Sequence, residues 1–226
     1  MTTDIFERAR HNMVEYQIRC SKVLDPRTLD LIESMPREDF VPEHVKSIAY
    51  MEGHLPLPCG QEMLTPLQEA HILQALQLEG TERVLEIGTG TGFLTAMLAM
   101  QAKDVVSCEI HEELAEMARK NLETHGITNA TVLHVNAMAP EAMEQKKELK
   151  KGSFDVLVVG AALKEIPDHL IGYLKKNAQI LAFLGENPVV SLVHIIRRGE
   201  VEQRTSILET LLQNMEGLPQ KREFHF

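Results

Sequence analysis

The chain has 226 residues, 44% of them apolar, which suits one globular domain with a sizeable core. Its formal net charge of −10 argues against general affinity for a nucleic-acid backbone, and its three cysteines, Cys20, Cys59 and Cys108, have neither metal-site nor disulfide-framework spacing. No apolar run is long enough to span a bilayer and the first ten residues do not read as a secretory signal. The expectation is therefore a soluble cytoplasmic protein with no membrane or nucleic-acid partner.

Residues 4–18 show helical periodicity through Ile5, Ala9, Met13 and Tyr16, with Asp4 as a cap. Asp25-Pro26 opens a second helix that turns Leu29, Ile32 and Met35 inward, and Pro36 ends it. Residues 35–42 form a proline-bracketed turn, 45–50 a short helix or turn, and 54–60 a loop. Thr65-Pro66 caps a helix running to Leu78. Residues 1–80 thus read as a helical amino-terminal cap with a substrate-side loop, and 81–226 as the core, the two forming one compact unit.

From Arg83 onward strands and helices alternate, which predicts a mainly parallel sheet. Strands are expected at 83–87, 104–109, 131–136, 154–159, 179–184 and 189–196, with a hairpin turn at 197–200 and a return strand over 201–208. Helices are expected at 93–101, 112–124, 140–151 and 166–174. Residues 209–226 read as loop and edge structure. The lysines within 140–151 alternate with Glu144 and Glu148, the pattern of a solvated helix face.

The stretch Val84 to Phe93 carries the chemistry. An apolar strand runs into glycines at 88, 90 and 92, and an apolar helix follows. Glycine admits positive φ and close approach of a ligand, and a helix amino end offers free N–H groups. A dinucleotide fingerprint, G-x-G-x-x-G, would need glycine where Phe93 stands. The pattern is E-x-G-x-G-x-G instead, which resembles motif I of class I S-adenosylmethionine (AdoMet) methyltransferases. Taken alone, the glycine loop is also consistent with a plain tight turn. Glu109 changes the weighting, because a carboxylate ending the second strand of such a unit accepts hydrogen bonds from ribose hydroxyls.

Further residues narrow the resemblance. Met13-Val14-Glu15-Tyr16-Gln17, the Pro36-to-Pro42 turn, Ala49-Tyr50-Met51-Glu52, Leu55-Pro56-Leu57, Gly60-Gln61, Pro66 and Ala161-to-Pro167 join the glycine loop. Together they resemble the protein-L-isoaspartate (D-aspartate) O-methyltransferase family over nearly the whole chain. The resemblance implies a three-layer α/β/α Rossmann-like sandwich with AdoMet across the carboxyl ends of the central strands. Glu86, Gly88, Thr89, Gly90 and Gly92 would serve its amino-acid end and Glu109 with Ile110 its ribose. Where the family shows Gly-Asp-Gly after the third strand, this chain has Val135-Asn136-Ala137, and Asn136 would meet the adenine amine. As a residue by itself, Asn136 equally suits a strand-end turn.

The family's substrate motif Gly-Gln-Thr-Ile-Ser-Gln-Pro stands here as Gly60-Gln61-Glu62-Met63-Leu64-Thr65-Pro66. Leu64 replaces the serine that holds the substrate carboxylate, and Glu62 places a negative charge nearby. Glu62, Leu64, Thr65 and His54 are accordingly the candidates for the acceptor side. No metal is implied, since the histidines lack ligand spacing. The leading function is methyl transfer to isoaspartyl carboxyl groups of damaged proteins or peptides. The alternatives are a methyltransferase of this fold with another acceptor, on which isoaspartyl activity is weak or absent, and a non-catalytic AdoMet-binding module.

Overall fold

The computed structural model describes residues 2–218. The last eight residues, 219–226, part of the stretch read above as loop and edge structure, lie outside the described residues.

A seven-stranded sheet carries the fold. In chain order the elements from the cap onward are α1 (Thr2–Met13), α2 (Pro26–Ser34), β1 (Leu55–Pro56), β2 (Glu62–Met63), α3 (Pro66–Leu76) and β3 (Arg83–Ile87). They continue with α4 (Phe93–Gln101), β4 (Asp104–Glu109), α5 (Glu112–Thr124), β5 (Ala130–His134), α6 (Pro140–Glu144) and β6 (Phe154–Leu163). The chain then forms α7 (Asp168–Ile171), β7 (Leu174–Glu186), β8 (Val189–Arg198) and β9 (Val201–Thr210). The strand order is β5-β4-β3-β6-β7-β8-β9, and β1 pairs with β2 as a separate ribbon. Pairings from β5 through β7 are parallel, and those of β7 with β8 and β8 with β9 are antiparallel.

The central strands are buried on both faces, which is why β3 and the first half of β6 are almost continuously apolar. One apolar cluster joins the cap, α3, α4 and α5 to one face of the sheet. The other lies beneath α6 and α7 and includes Met138, Met143, Leu170 and Tyr173. The result is the expected three-layer sandwich, and the cap shares its core with the sheet rather than standing apart.

Local chemistry explains the element ends. Asp25 accepts the backbone N–H of Thr28 and caps α2. Thr65 and Gln68 form a reciprocal capping box at α3. Several expectations are corrected. The first helix already includes Asp4, so Asp4 is no cap; the chain then continues helically, as a π turn over Val14–Ile18. The helix expected over 140–151 stops at Glu144, because the lysines and glutamates beyond it present no apolar stripe and only Leu149 is buried there. The helix expected at 166–174 shortens to α7. The fourth strand runs on to Leu163 through a register shift between Val159 and Ala162, which carries Gly160 and Ala161 to the sheet's carboxyl edge. Among the described residues no helix is long and apolar enough to cross a membrane.

Candidate functional site

A cleft of about 690 Å³, measured out to its open mouth, lies at the carboxyl ends of β3, β4 and β6. This is where an open parallel sheet offers a binding crevice.

The glycine loop forms its floor. Gly88, Gly90 and Gly92 all have positive φ, at 91°, 55° and 87°. Gly92 has a second constraint, since a Cβ there would come within 3.2 Å of the Ala118 Cβ on α5. Glycine at 92 therefore lets α4 and α5 pack closely. Glu109 fixes the loop from the next strand. Its carboxylate accepts the N–H of Gly90 at 2.9 Å and the N–H of His111 at 3.0 Å. It is 4% exposed, yet it lines the cleft. Each carboxylate oxygen retains acceptor capacity for a ligand hydroxyl.

Glu86, on β3 two residues before Gly88, is buried and accepts the Thr95 hydroxyl at 2.5 Å. Burial pushes its carboxyl up to about 7, with Ser107 and Thr95 pulling it down and Glu109 raising it further. Its other oxygen has no hydrogen-bond partner. Thr89 is buried too, with its hydroxyl 2.5 Å from that of Ser107. Neither Glu86 nor Thr89 lines the cleft, and nor does Gly92; they shape the loop from behind. Of the cofactor candidates, Gly88, Gly90, Glu109, Ile110, Asn136 and Ala137 do line it. The Asn136 carboxamide oxygen accepts the Met138 N–H at 2.8 Å, and its nitrogen donates to the Gly217 carbonyl at 3.3 Å. Asn136 thus forms a turn at the end of β5 as well as a cleft wall.

The acceptor-side candidates separate. Glu62 is exposed and lines the mouth beside Leu57 and Gln61. Leu64 is buried in the cap's apolar cluster and does not reach the cleft. The Thr65 hydroxyl is engaged in capping α3. Both ring nitrogens of His54 lie 3.1 Å from backbone carbonyls, those of Met63 and Leu211. Exposed Cys59 carries a thiol pushed above its ordinary value by desolvation and by Glu113, so it is no ready nucleophile.

Two contributors were not singled out from the sequence. Residues 212–216 form a strap across the cleft, held where Ala162 and Met215 pair through their backbones at 2.8 Å. Gln61 donates to the Glu216 carboxylate at 2.8 Å, and the His111 ring lies 3.0 Å from its other oxygen. No signal in composition or periodicity marks this segment. The second is a buried charge. Arg37 pairs with Glu69 and donates to the carbonyls of Ala49 and Leu64. The Pro36-to-Pro42 turn marked the place but not the partners. Among the described residues no group of three or more His, Cys, Asp or Glu could hold a metal ion.

A mainly parallel sheet with a glycine loop closing β3 and a carboxylate ending β4 defines a Rossmann-like class I methyltransferase fold. The family model described as protein-L-isoaspartate (D-aspartate) O-methyltransferase matches residues 8–211. The chain is 36% identical to the protein-L-isoaspartate O-methyltransferase of Methanoculleus marisnigri, covering 89% of each chain, and 36% identical to that of Syntrophus aciditrophicus, covering 87% of each. A Plasmodium falciparum structure described as a protein-L-isoaspartate O-methyltransferase with S-adenosyl-L-homocysteine superposes with a TM-score of 0.76 at 19% identity, covering 92% of this chain and 98% of that one. The chain belongs to the protein-L-isoaspartate (D-aspartate) O-methyltransferase family.

Proposed function

We propose that this chain is an AdoMet-dependent O-methyltransferase that methylates the carboxyl group of isoaspartyl residues in proteins and peptides. One observation carries the reading. A single cleft is walled on one side by Gly88, Gly90 and Glu109 and on the other by Leu57, Gln61 and Glu62. A cofactor on the first wall and an acceptor entering past the second would share that space. The residues suit AdoMet: Glu109 offers carboxylate oxygens to ribose, and the glycine loop leaves the floor free of side chains.

AdoMet supplies an activated methyl group on a sulfonium. The protein's own work is then to hold donor and acceptor in line and to exclude water, which supplies much of the acceleration through effective concentration. Glu109, itself held by the Gly90 N–H, fixes one partner's place, while the 54–65 loop and the strap bound the other's. A carboxylate acceptor is ionised near neutral pH, so no general base is needed. That agrees with the engagement of His54 by two carbonyls. Three uncrosslinked cysteines, two of them exposed, suit a reducing cytoplasmic setting.

A second reading has its own observation. The charged residues lining the cleft are Glu62, Glu109 and Glu216, and among the described residues no lysine or arginine lines it. Such a mouth suits a neutral or cationic acceptor better than a second carboxylate. The deciding experiment is transfer of labelled methyl from AdoMet to an isoaspartyl peptide beside its aspartyl counterpart. Labelling of the isoaspartyl peptide alone supports the proposal. Binding of AdoMet with no transfer to it defeats the proposal and leaves the second reading or a non-catalytic AdoMet-binding module.

A further inference from the structure

We propose that Arg37 is a positioning residue that sets the acceptor-side loop, residues 54–65, against the glycine loop. The proposal rests on the methyltransferase reading above, in which that loop bounds the acceptor.

Arg37 begins the short helical turn Arg37–Asp39 and is 1% exposed. An isolated buried cation is costly, so its partners show what the fold secures with it. Four segments meet at this one guanidinium. Nε donates to the Ala49 carbonyl at 2.9 Å, within the cap. Nη1 donates to the Glu69 carboxylate on α3. Nη2 donates to the Leu64 carbonyl at 2.5 Å. The guanidinium carbon stands 4.9 Å from the centre of the Phe93 ring.

The last two contacts give the position its meaning. Leu64 immediately follows β2, whose Glu62 lines the cleft mouth. Phe93 is the first residue of α4 and immediately follows Gly92. One rigid, planar group therefore touches the end of the acceptor-side loop and the exit of the glycine loop together. Across the gap between these loops, Leu57 approaches the place a Cβ on Gly90 would occupy, at 3.6 Å. The spacing of the two loops is the width of the site. An ion pair needed only for stability could stop at Glu69; the third donor reaches the loop that the acceptor must pass.

Lysine cannot reproduce this geometry. It keeps a charge for Glu69, but a single ammonium cannot serve two carbonyls and a carboxylate from a planar fork or stack on Phe93 in the same way. Arg37→Lys thus separates the charge from the positioning. The double variant Arg37→Met with Glu69→Met is a second route. It removes both buried charges together, which folded proteins often tolerate, and leaves the Leu64 carbonyl without its donor.

Three measurements on the full chain test the proposal: AdoMet affinity by calorimetry, hydrogen exchange of the unligated protein, and kcat and KM for an isoaspartyl peptide. In both variants AdoMet affinity should stay within threefold of the parent. Amides of residues 55–64 should exchange at least tenfold faster while those of 88–92 do not change. The peptide kcat/KM should fall at least tenfold, with KM taking the larger share. Unchanged exchange over 55–64 in a folded variant would overturn the proposal, as would an equal loss of protection in both loops. Exchange is read without turnover. If the parent fails to methylate the peptide, the functional reading falls while the role of Arg37 is still decided.

Discussion

Glu109→Ala is the sharpest test of the cofactor wall. The carboxylate accepts two backbone N–H groups, of Gly90 at 2.9 Å and of His111 at 3.0 Å. Hydrogen bonds to a charged group contribute about 1.5–3 kcal/mol each, and the lower end applies here because the site opens to a cleft that water can enter. The unligated variant should therefore lose about 3 kcal/mol of stability. Binding loses a further set of contacts. If the carboxylate also holds the ribose, AdoMet affinity should drop by about 1.5–3 kcal/mol, roughly 10- to 150-fold in Kd. Chemical denaturation without ligand gives the first quantity, and calorimetry with AdoMet and S-adenosylhomocysteine gives the second. Glu109→Gln, which keeps one acceptor oxygen and the shape, should fall between parent and alanine in both. A Kd for the alanine variant within twofold of the parent would refute the ribose assignment, whatever happened to stability.

Other expectations follow from the same geometry. Burial raises the Glu86 carboxyl to about 7 from an ordinary 4.5, so the folded chain holds a proton that the unfolded chain has released. That contribution is complete below about 4.5 and is lost as pH rises through about 7. Glu86→Gln should flatten this fall, and denaturation curves of equal slope against pH in both proteins would contradict it. Gly92→Ala meets Ala118 at 3.2 Å with φ at 87°, and should cost about 1–2 kcal/mol, read as a lower Tm; an unchanged Tm speaks against close packing there. A Cβ at Gly217 would strike the Asn136 carboxamide, so Gly217→Ala should displace that side chain from the cleft wall and speed release of S-adenosylhomocysteine in stopped flow, and an unchanged off-rate would show that Asn136 does not hold the ligand. Glu62→Gln removes an exposed charge, for which about 1 kcal/mol is the scale in water; the peptide KM should fall about fivefold, and no change means Glu62 does not face the acceptor.

Much of the fold was legible because local chemistry and tertiary environment agree. Val84 to Ile87 and Phe154 to Val159 are apolar in the way that strands buried on both faces must be. The loop glycines stand where φ is positive. Legibility failed where only long-range contacts decide. Residues 145–151 have good helix formers but only Leu149 to dock, so propensity lost to the lack of a continuous buried face. Leu64 stands where the family has its substrate serine, yet its side chain packs into the cap's core and its carbonyl takes the Arg37 donor. The partnership of Arg37 with Glu69 spans 32 residues of sequence and leaves no pattern in either neighbourhood. The strap is invisible for the same reason, since Glu216 meets Gln61 across 155 residues.

That last contact has a consequence for how the protein assembles. The cleft has no complete wall until residues far apart in sequence have met, so it belongs among the latest features to form as the chain folds. Closing so long a loop costs entropy, which contacts already made in the sheet help to offset. A ligand held between the strap and the 54–65 loop then fastens two distant stretches of chain to each other. Occupancy should therefore slow unfolding of the whole molecule, and it should suppress the brief openings by which proteases and exchange reach the β8–β9 hairpin.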